Sequence, residues 1–130
     1  MRRVVGLFCL LFLSACSVGP HLGEVSDVVI TEVGADKTDR PLSDYACEGF
    51  ILSPQQARAF LNRAIIVTGM EIHDRYSWSP CYVKGTANLR GFHYTWTIHK
   101  YGTGYLDLFG IGEFVYEIAD ESQAEDDDVE

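Results

Sequence analysis

Chemistry in this chain would have to come from a small set of side chains. If the segments from Cys81 onward are strands, His99 shares a polar face with Tyr82 and Asp107, with Tyr105 and Phe109 close by. An imidazole beside a carboxylate can take and return a proton or form a hydrogen-bonded switch. The pattern sets no Ser or Cys nucleophile next to it. The plainer account of this row is a solvated outer face with a cross-strand His–Asp pair. A ligand-binding face is the alternative raised by its aromatic content. A second candidate is the segment 71–80, where Arg75, Tyr76 and Trp78 are residue types enriched at interface hot spots. The plainer account is that those aromatics fold back to cap the core. Metal chemistry has little support. His93 and His99 share a face, yet six residues of strand separate them by about 20 Å. His73, Asp74 and Glu71 match no standard ligand spacing, and Cys47 and Cys81 have neither a C-x-x-C partner nor a nearby His. No G-x-S-x-G, H-E-x-x-H or P-loop occurs, so no catalytic residue, metal or cofactor is expected.

The elements that position these residues follow from periodicity. Ser53 is a good N-cap, Pro54 suits a first helical position, and Gln56 completes a capping box. Ala57, Phe60, Leu61, Ala64, Ile65 and Thr68 recur with helical spacing, and Gly69 reads as the stop. The segment from Met70 to Pro80 shows no period and reads as a loop. From Cys81 the period becomes two. Glycine-bearing turns at Arg90-Gly91, Gly102-Thr103-Gly104 and Gly110-Ile111-Gly112 divide the rest into strands 81–89, 92–100, 105–109 and 113–119. The first turn pairs Leu89 with Phe92, Ala87 with Tyr94, Gly85 with Trp96 and Val83 with Ile98. The second pairs Ile98 with Leu108 and Trp96 with Gly110. The third pairs Leu108 with Phe114 and Leu106 with Tyr116. These registers gather apolar side chains on one face, which the helix must cover. The opposite face carries Tyr82, His99 and Asp107 in one row and Lys84, Thr97 and Phe109 in the next. Thr86 pairs with Thr95, and Asn88 with His93. The expected fold is α+β: one helix packed on a four-stranded antiparallel meander, over residues 47–119.

Residues 1–15 read as a targeting segment. Arg2 and Arg3 precede a short apolar run, Val4 to Leu13, too short to span a bilayer. Leu13-Ser14-Ala15-Cys16 resembles the lipobox of bacterial lipoproteins, and the match covers the first 16 residues. The resemblance implies cleavage before Cys16 and acylation of its thiol and new amino group. Two or three acyl chains make a durable membrane anchor. Ser17, rather than Asp, follows the cysteine; in the enterobacterial version of the family this implies sorting to the outer membrane, facing the periplasm. Residues 17–46, rich in Gly, Pro, Ser and Asp, read mostly as a tether reaching roughly 30 Å. Within it, Val28-Val29-Ile30-Thr31 is β-prone and could dock as an edge strand.

Export also bears on the cysteines. Cys9 leaves with the signal and Cys16 takes lipid. Cys47 and Cys81 remain in an oxidising compartment and are expected to pair, with two separate buried thiols as the alternative. Loss of Arg2 and Arg3 takes the net charge from −9 to −11, and eight of the 19 acids fall between Glu117 and Glu130. Residues 120–130 read as an acidic, disordered tail. There is no basic patch to favour nucleic acid. These features predict an exported, membrane-anchored, non-enzymatic module that binds another protein, either inhibitor- or immunity-like or an accessory of envelope assembly. The alternative is a module that binds a small molecule or envelope glycan through the outer sheet face.

Overall fold

The computed structural model describes residues 20–108 and 115–124. Cys16, Phe109, the expected turn at 110–112 and residues 125–130 lie outside them. Among the described residues the strands are β1 (Ser26–Ala35), β2 (Ile65–Ile66), β3 (Cys81–Leu89), β4 (Phe92–His99), β5 (Thr103–Leu108) and β6 (Val115–Ala119). They form one six-stranded antiparallel sheet in the order β1-β3-β4-β5-β6-β2. The expected meander is therefore its centre. The expectation of four strands and one helix is too small: a strand is added at each edge, and a second helix follows the first.

The β3–β4 hairpin has the predicted register throughout, from Tyr82 opposite His99 to Leu89 opposite Phe92. Arg90 and Gly91 both take positive φ, 51° and 83°, as a two-residue turn that follows the strand twist requires. The β4–β5 register differs from expectation by four residues. Ile98 faces Gly104 and Trp96 faces Leu106, not Leu108 and Gly110. The reason lies in two glycines with different tasks. Gly102 supplies the left-handed conformation that closes the turn (φ 89°). Gly104 is already inside β5, where a Cβ would run into the Thr97 carbonyl oxygen. The displacement is even, so every side chain keeps its face while the rows change. Leu106 faces Tyr116 as predicted.

α1 (Pro54–Arg63) starts at the predicted capping box: Ser53 Oγ accepts from the Gln56 amide at 3.1 Å, and Gln56 Oε1 accepts from the Ser53 amide at 2.8 Å. Ala57, Phe60 and Leu61 bury its apolar stripe against Val83, Ala87, Trp96, Ile98, Leu106 and Ile118. The helix ends at Arg63, well short of Gly69. Ile65-Ile66-Val67 are β-branched, stiff on a helix and suited to a pleated edge. They pair with β6, Ile65 opposite Ala119 and Ile66 opposite Ile118. Thr68 then caps α2 (Gly69–Arg75), its hydroxyl accepting from the Glu71 amide at 3.2 Å. The first part of the segment read as a loop, Met70 to Arg75, is thus helical. Thr68-Gly69-Met70-Glu71 has capping-box spacing, a start signal hidden by the reading of Gly69 as a stop. Among the described residues, no helix is long and apolar enough to cross a membrane.

Residues 20–35, expected mostly as tether, are built into the body. Ile66 donates to the Pro20 carbonyl at 2.9 Å, and Leu22 and Val25 are buried in the core. The β-prone run at 28–31 does dock at the edge, within the longer strand β1 against β3. At the other end, Asp120 is buried. Its carboxylate accepts from Ser122 N and Oγ at 3.1 and 2.7 Å and from Arg63 Nε at 2.7 Å.

Cys47 and Cys81 form the expected disulfide, 34 residues apart in sequence. Closing a loop of that size stabilises by roughly 4 kcal/mol through the unfolded chain. Reduction is therefore expected to lower the melting temperature by more than ~10 °C, read by circular dichroism with and without reductant. An unchanged melt would reject that role. At Gly85 a Cβ would strike the Val29 carbonyl oxygen and the Trp96 ring. Gly85→Ala is expected to cost about 2–3 kcal/mol as overpacking; a melt within error of the parent would contradict this.

Asp120 gives a pH prediction. Burial alone would raise its pKa, but the hydrogen bonds from Ser122 and Arg63 prevail and hold it below the ordinary 3.8. Its contribution is present above that ordinary value and disappears as pH falls through the lowered one. Arg63 is 54% exposed, so the pair is discounted for solvent screening. Asp120→Asn is expected to lose about 1 kcal/mol near neutrality, with the gap from the parent closing in acid. A gap that widens in acid would refute the assignment.

Candidate functional site

The outer face of the sheet positions Tyr82 and His99 as register partners. Asp107 is not beside them. The four-residue register difference puts it opposite Thr95, correcting the predicted row. Tyr105 takes the place expected for Phe109, opposite Thr97, whose other neighbour is Lys84. His99 is 8% exposed, and its Nε2 lies 3.1 Å from Oδ2 of a different carboxylate, Asp36.

Asp36 is placed by backbone pairing. β1 runs antiparallel to β3 with Gly34 opposite Tyr82 and Ala35 opposite Cys81. The next residue emerges where β4 ends, and the Asp36 amide donates to the Pro80 carbonyl at 3.0 Å. Gly34 leaves room for the Tyr82 phenol, which would lie 2.9 Å from a Cβ there. Tyr82 Oη donates to Glu32 Oε2 at 2.9 Å. His99 sits between two phenol rings, Tyr82 at 6.1 Å and Tyr105 at 5.7 Å between centroids, both edge-on. Such contacts orient a ring as well as bury it. Asp36 falls in the stretch read as tether. Extending the β-prone run at 28–31 as far as Ala35 would have revealed it.

The other wall of the site comes from α2 and the residues after it. Tyr76 folds back into a small cluster with Ile65, Val67 and Ala119, the core role left open by the sequence. Arg75 is exposed in the last turn of α2. Trp78 is 63% exposed, with Tyr45 standing edge-on at 5.6 Å and 83°. Tyr45 ends a 3₁₀ turn (Leu42–Tyr45) two residues before Cys47, so the disulfide holds the support of Trp78 against β3. Lys100 Nζ secures the same segment by donating to the Tyr45 and Ala46 carbonyls at 3.4 and 3.2 Å.

These walls enclose a cleft of about 400 Å³ that Asp36, His99, Tyr105, Thr103, Ile72, His73, Tyr76, Ser77, Trp78 and Ser79 line. A hollow of about 210 Å³ adjoins it, sharing Asp36, His99 and Tyr105 and adding Glu32, Tyr82, Lys84 and Thr97. The two surfaces singled out in the sequence, the outer sheet face and the 71–80 segment, therefore border one concavity. A further groove of about 330 Å³ runs along α1, but its Arg63 and Asp120 are already paired with each other.

Carboxylates act on both phenols of the cleft and its adjoining hollow. The Tyr105 hydroxyl is pushed above its ordinary pKa by burial first, then by the carboxylates of Glu117 and Asp36. Tyr82 is raised by its hydrogen bond to Glu32, then by burial and by the Glu32 and Asp36 charges. His73 Nδ1 lies 3.1 Å from Asp74 Oδ1 on the exposed surface, while Glu71 turns back to the start of α2. Among the described residues, no three His, Cys, Asp or Glu side chains are grouped to hold a metal. The arrangement brings together exposed aromatic surface (Trp78, Tyr105), a histidine hydrogen-bonded to a carboxylate, and further acidic side chains nearby. No protein-family model, no curated protein and no solved structure matches this chain.

Proposed function

We propose that the chain is an exported, lipid-anchored, non-enzymatic module that binds another protein through the cleft between α2 and the outer sheet face. The observation that carries this reading is the convergence of Trp78, Tyr105, His99 and Asp36 on one concavity. A tryptophan left 63% exposed on a stapled support gains apolar burial when a partner covers it. The excess of acid over base suits an inhibitor- or immunity-like role against a basic surface, and fits an accessory of envelope assembly less specifically. A small molecule or envelope glycan in the same cleft is the second reading, favoured by the exposed Trp78 and Tyr105 rings.

The anchor is the lipobox cysteine, Cys16. Pro20 is hydrogen-bonded to Ile66, so Cys16 is four peptide steps in sequence from a residue built into the body. A fully extended chain of that length reaches about 14 Å. Even this maximum is shorter than the roughly 30 Å typical coil reach expected for residues 17–46, which keeps the domain close to the bilayer.

The expected outcome is that Cys16→Ser abolishes acyl labelling and releases the protein from membranes. Cross-linking in cells is expected to join the anchored parent to a discrete protein and to lose that product in Trp78→Ala/Tyr105→Ala, with the melt unchanged. Membrane retention of Cys16→Ser would overturn the anchor. A product that survives the double substitution would overturn the site. Retention on purified envelope glycan, abolished by the same pair, would move the function to the second reading.

A further inference from the structure

We propose that the cleft is a seat for one basic side chain, an arginine or lysine of the partner protein, with Asp36 meeting the cation and Trp78 and Tyr105 meeting its apolar stem and charged face. This inference rests on the protein-binding reading above. It names the chemistry that the site selects.

Three observations carry it. The first is the state of Asp36. His99 engages one of its oxygens at 3.1 Å, yet the Asp36 side chain remains 59% exposed. The carboxylate is thus oriented without being covered, an arrangement that favours a charge-assisted bond to an incoming donor. The second is the balance of charge around it. Glu32 lines the adjoining hollow, and Glu117 stands opposite Tyr105 with its carboxylate 3.0 Å from where a Gly69 Cβ would be. Lys84 is the cation of that hollow, and His73 at the rim is next to Asp74. Negative groups outnumber positive ones here, as they do in the whole chain. Burial is the main reason the Tyr105 hydroxyl is raised, with the Glu117 and Asp36 charges adding to it; Tyr82 is raised first by its hydrogen bond to Glu32, then by burial, then by the Glu32 and Asp36 charges.

The third observation is the aromatic lining. A cation within reach of an indole or phenol face is attracted by the ring quadrupole, most strongly with tryptophan. Arginine and lysine also bring a long methylene stem that covers apolar surface. A cleft of about 400 Å³ suits one such side chain and its flanking backbone. A neutral sugar would use the rings but leave the Asp36 and Glu117 charges without a counterpart. An acidic partner would be repelled.

The test uses the purified exported chain and N-acetyl-arginine amide as probe, with N-acetyl-citrulline amide as its uncharged analogue and chitotriose as a neutral glycan. Binding is followed by the indole N–H resonance of Trp78, with Trp96 as the buried internal reference. The arginine probe is expected to shift Trp78 with affinity on the order of millimolar. Affinity is expected to fall with salt and to drop at least roughly tenfold in Asp36→Asn, loss of a charge-assisted contact. The citrulline analogue is expected to shift Trp78 little. Equal response to citrulline, no response to arginine, or tighter response to chitotriose would each overturn the inference. Should Asp36→Asn disturb the melt, Glu117→Gln supplies the same charge test with His99 left in place. The cross-linked partner reads the parent proposal separately. A product that forms undiminished with Asp36→Lys, yet is lost in Trp78→Ala/Tyr105→Ala, overturns the basic-side-chain seat and leaves the protein-binding site standing.

Discussion

The position of Trp96 over Gly85 governs the sheet. The indole is fully buried, and its Nε1 donates to the Thr86 carbonyl at 2.9 Å. It spreads across β3 at the one place where the absence of a side chain lets it, while the Val29 carbonyl of β1 closes in on the same glycine. One residue thereby locks two strand pairings. On the far side Trp96 meets Leu106, which carries the lock into β5. Because side chains alternate, fixing the buried face also fixes which residues face outward. Tyr82, Lys84, Thr97, His99 and Tyr105 owe their places to a tryptophan that none of them touches in register.

The binding surface is assembled from chain segments far apart in sequence. Asp36 arrives at the end of an edge strand, His99 at the end of a central one, and Trp78 on the link between α2 and β3. Two devices hold this assembly together. The Cys47–Cys81 bond fixes the Tyr45 turn against β3. The Asp36 amide, tied to Pro80, joins the end of β1 to the segment that carries Trp78. A small domain has little core to spare for such a surface, and the covalent link lowers the entropy of the unfolded chain instead of adding to the core.

Local signals were legible wherever a short motif settles the backbone. The Ser53 to Gln56 capping box, the Arg90-Gly91 turn and the β3–β4 register needed nothing beyond neighbouring residues. Ambiguity entered where two signals competed. Gly102 and Gly104 both read as turn glycines, and only packing against Thr97 shows that the second belongs to a strand. Ile65 continues an apolar helical stripe, but the open edge of β6 offers the β-branched pair Ile65-Ile66 a better partner. Of the residues lining the cleft and its adjoining hollow, Tyr82, His99, Tyr105, Tyr76 and Trp78 carry a sequence signal, but as two separate surfaces. Asp36 was missed because a charged residue in a Gly- and Asp-rich stretch carries no periodic mark, and Asp107 was paired wrongly through the β4–β5 turn.

By itself the sequence determined alternation, hence the two faces of the sheet, because the period of a strand is set by covalent geometry and survives any even slip in register. It also determined which cysteines could meet and where α1 begins. Tertiary structure alone decided which carboxylate stands beside His99 and that the outer face and the 71–80 segment share one cleft. Those outcomes depend on how strands from opposite ends of the chain dock, and docking is settled by shape and by unpaired backbone groups seeking partners, neither of which has a local signature.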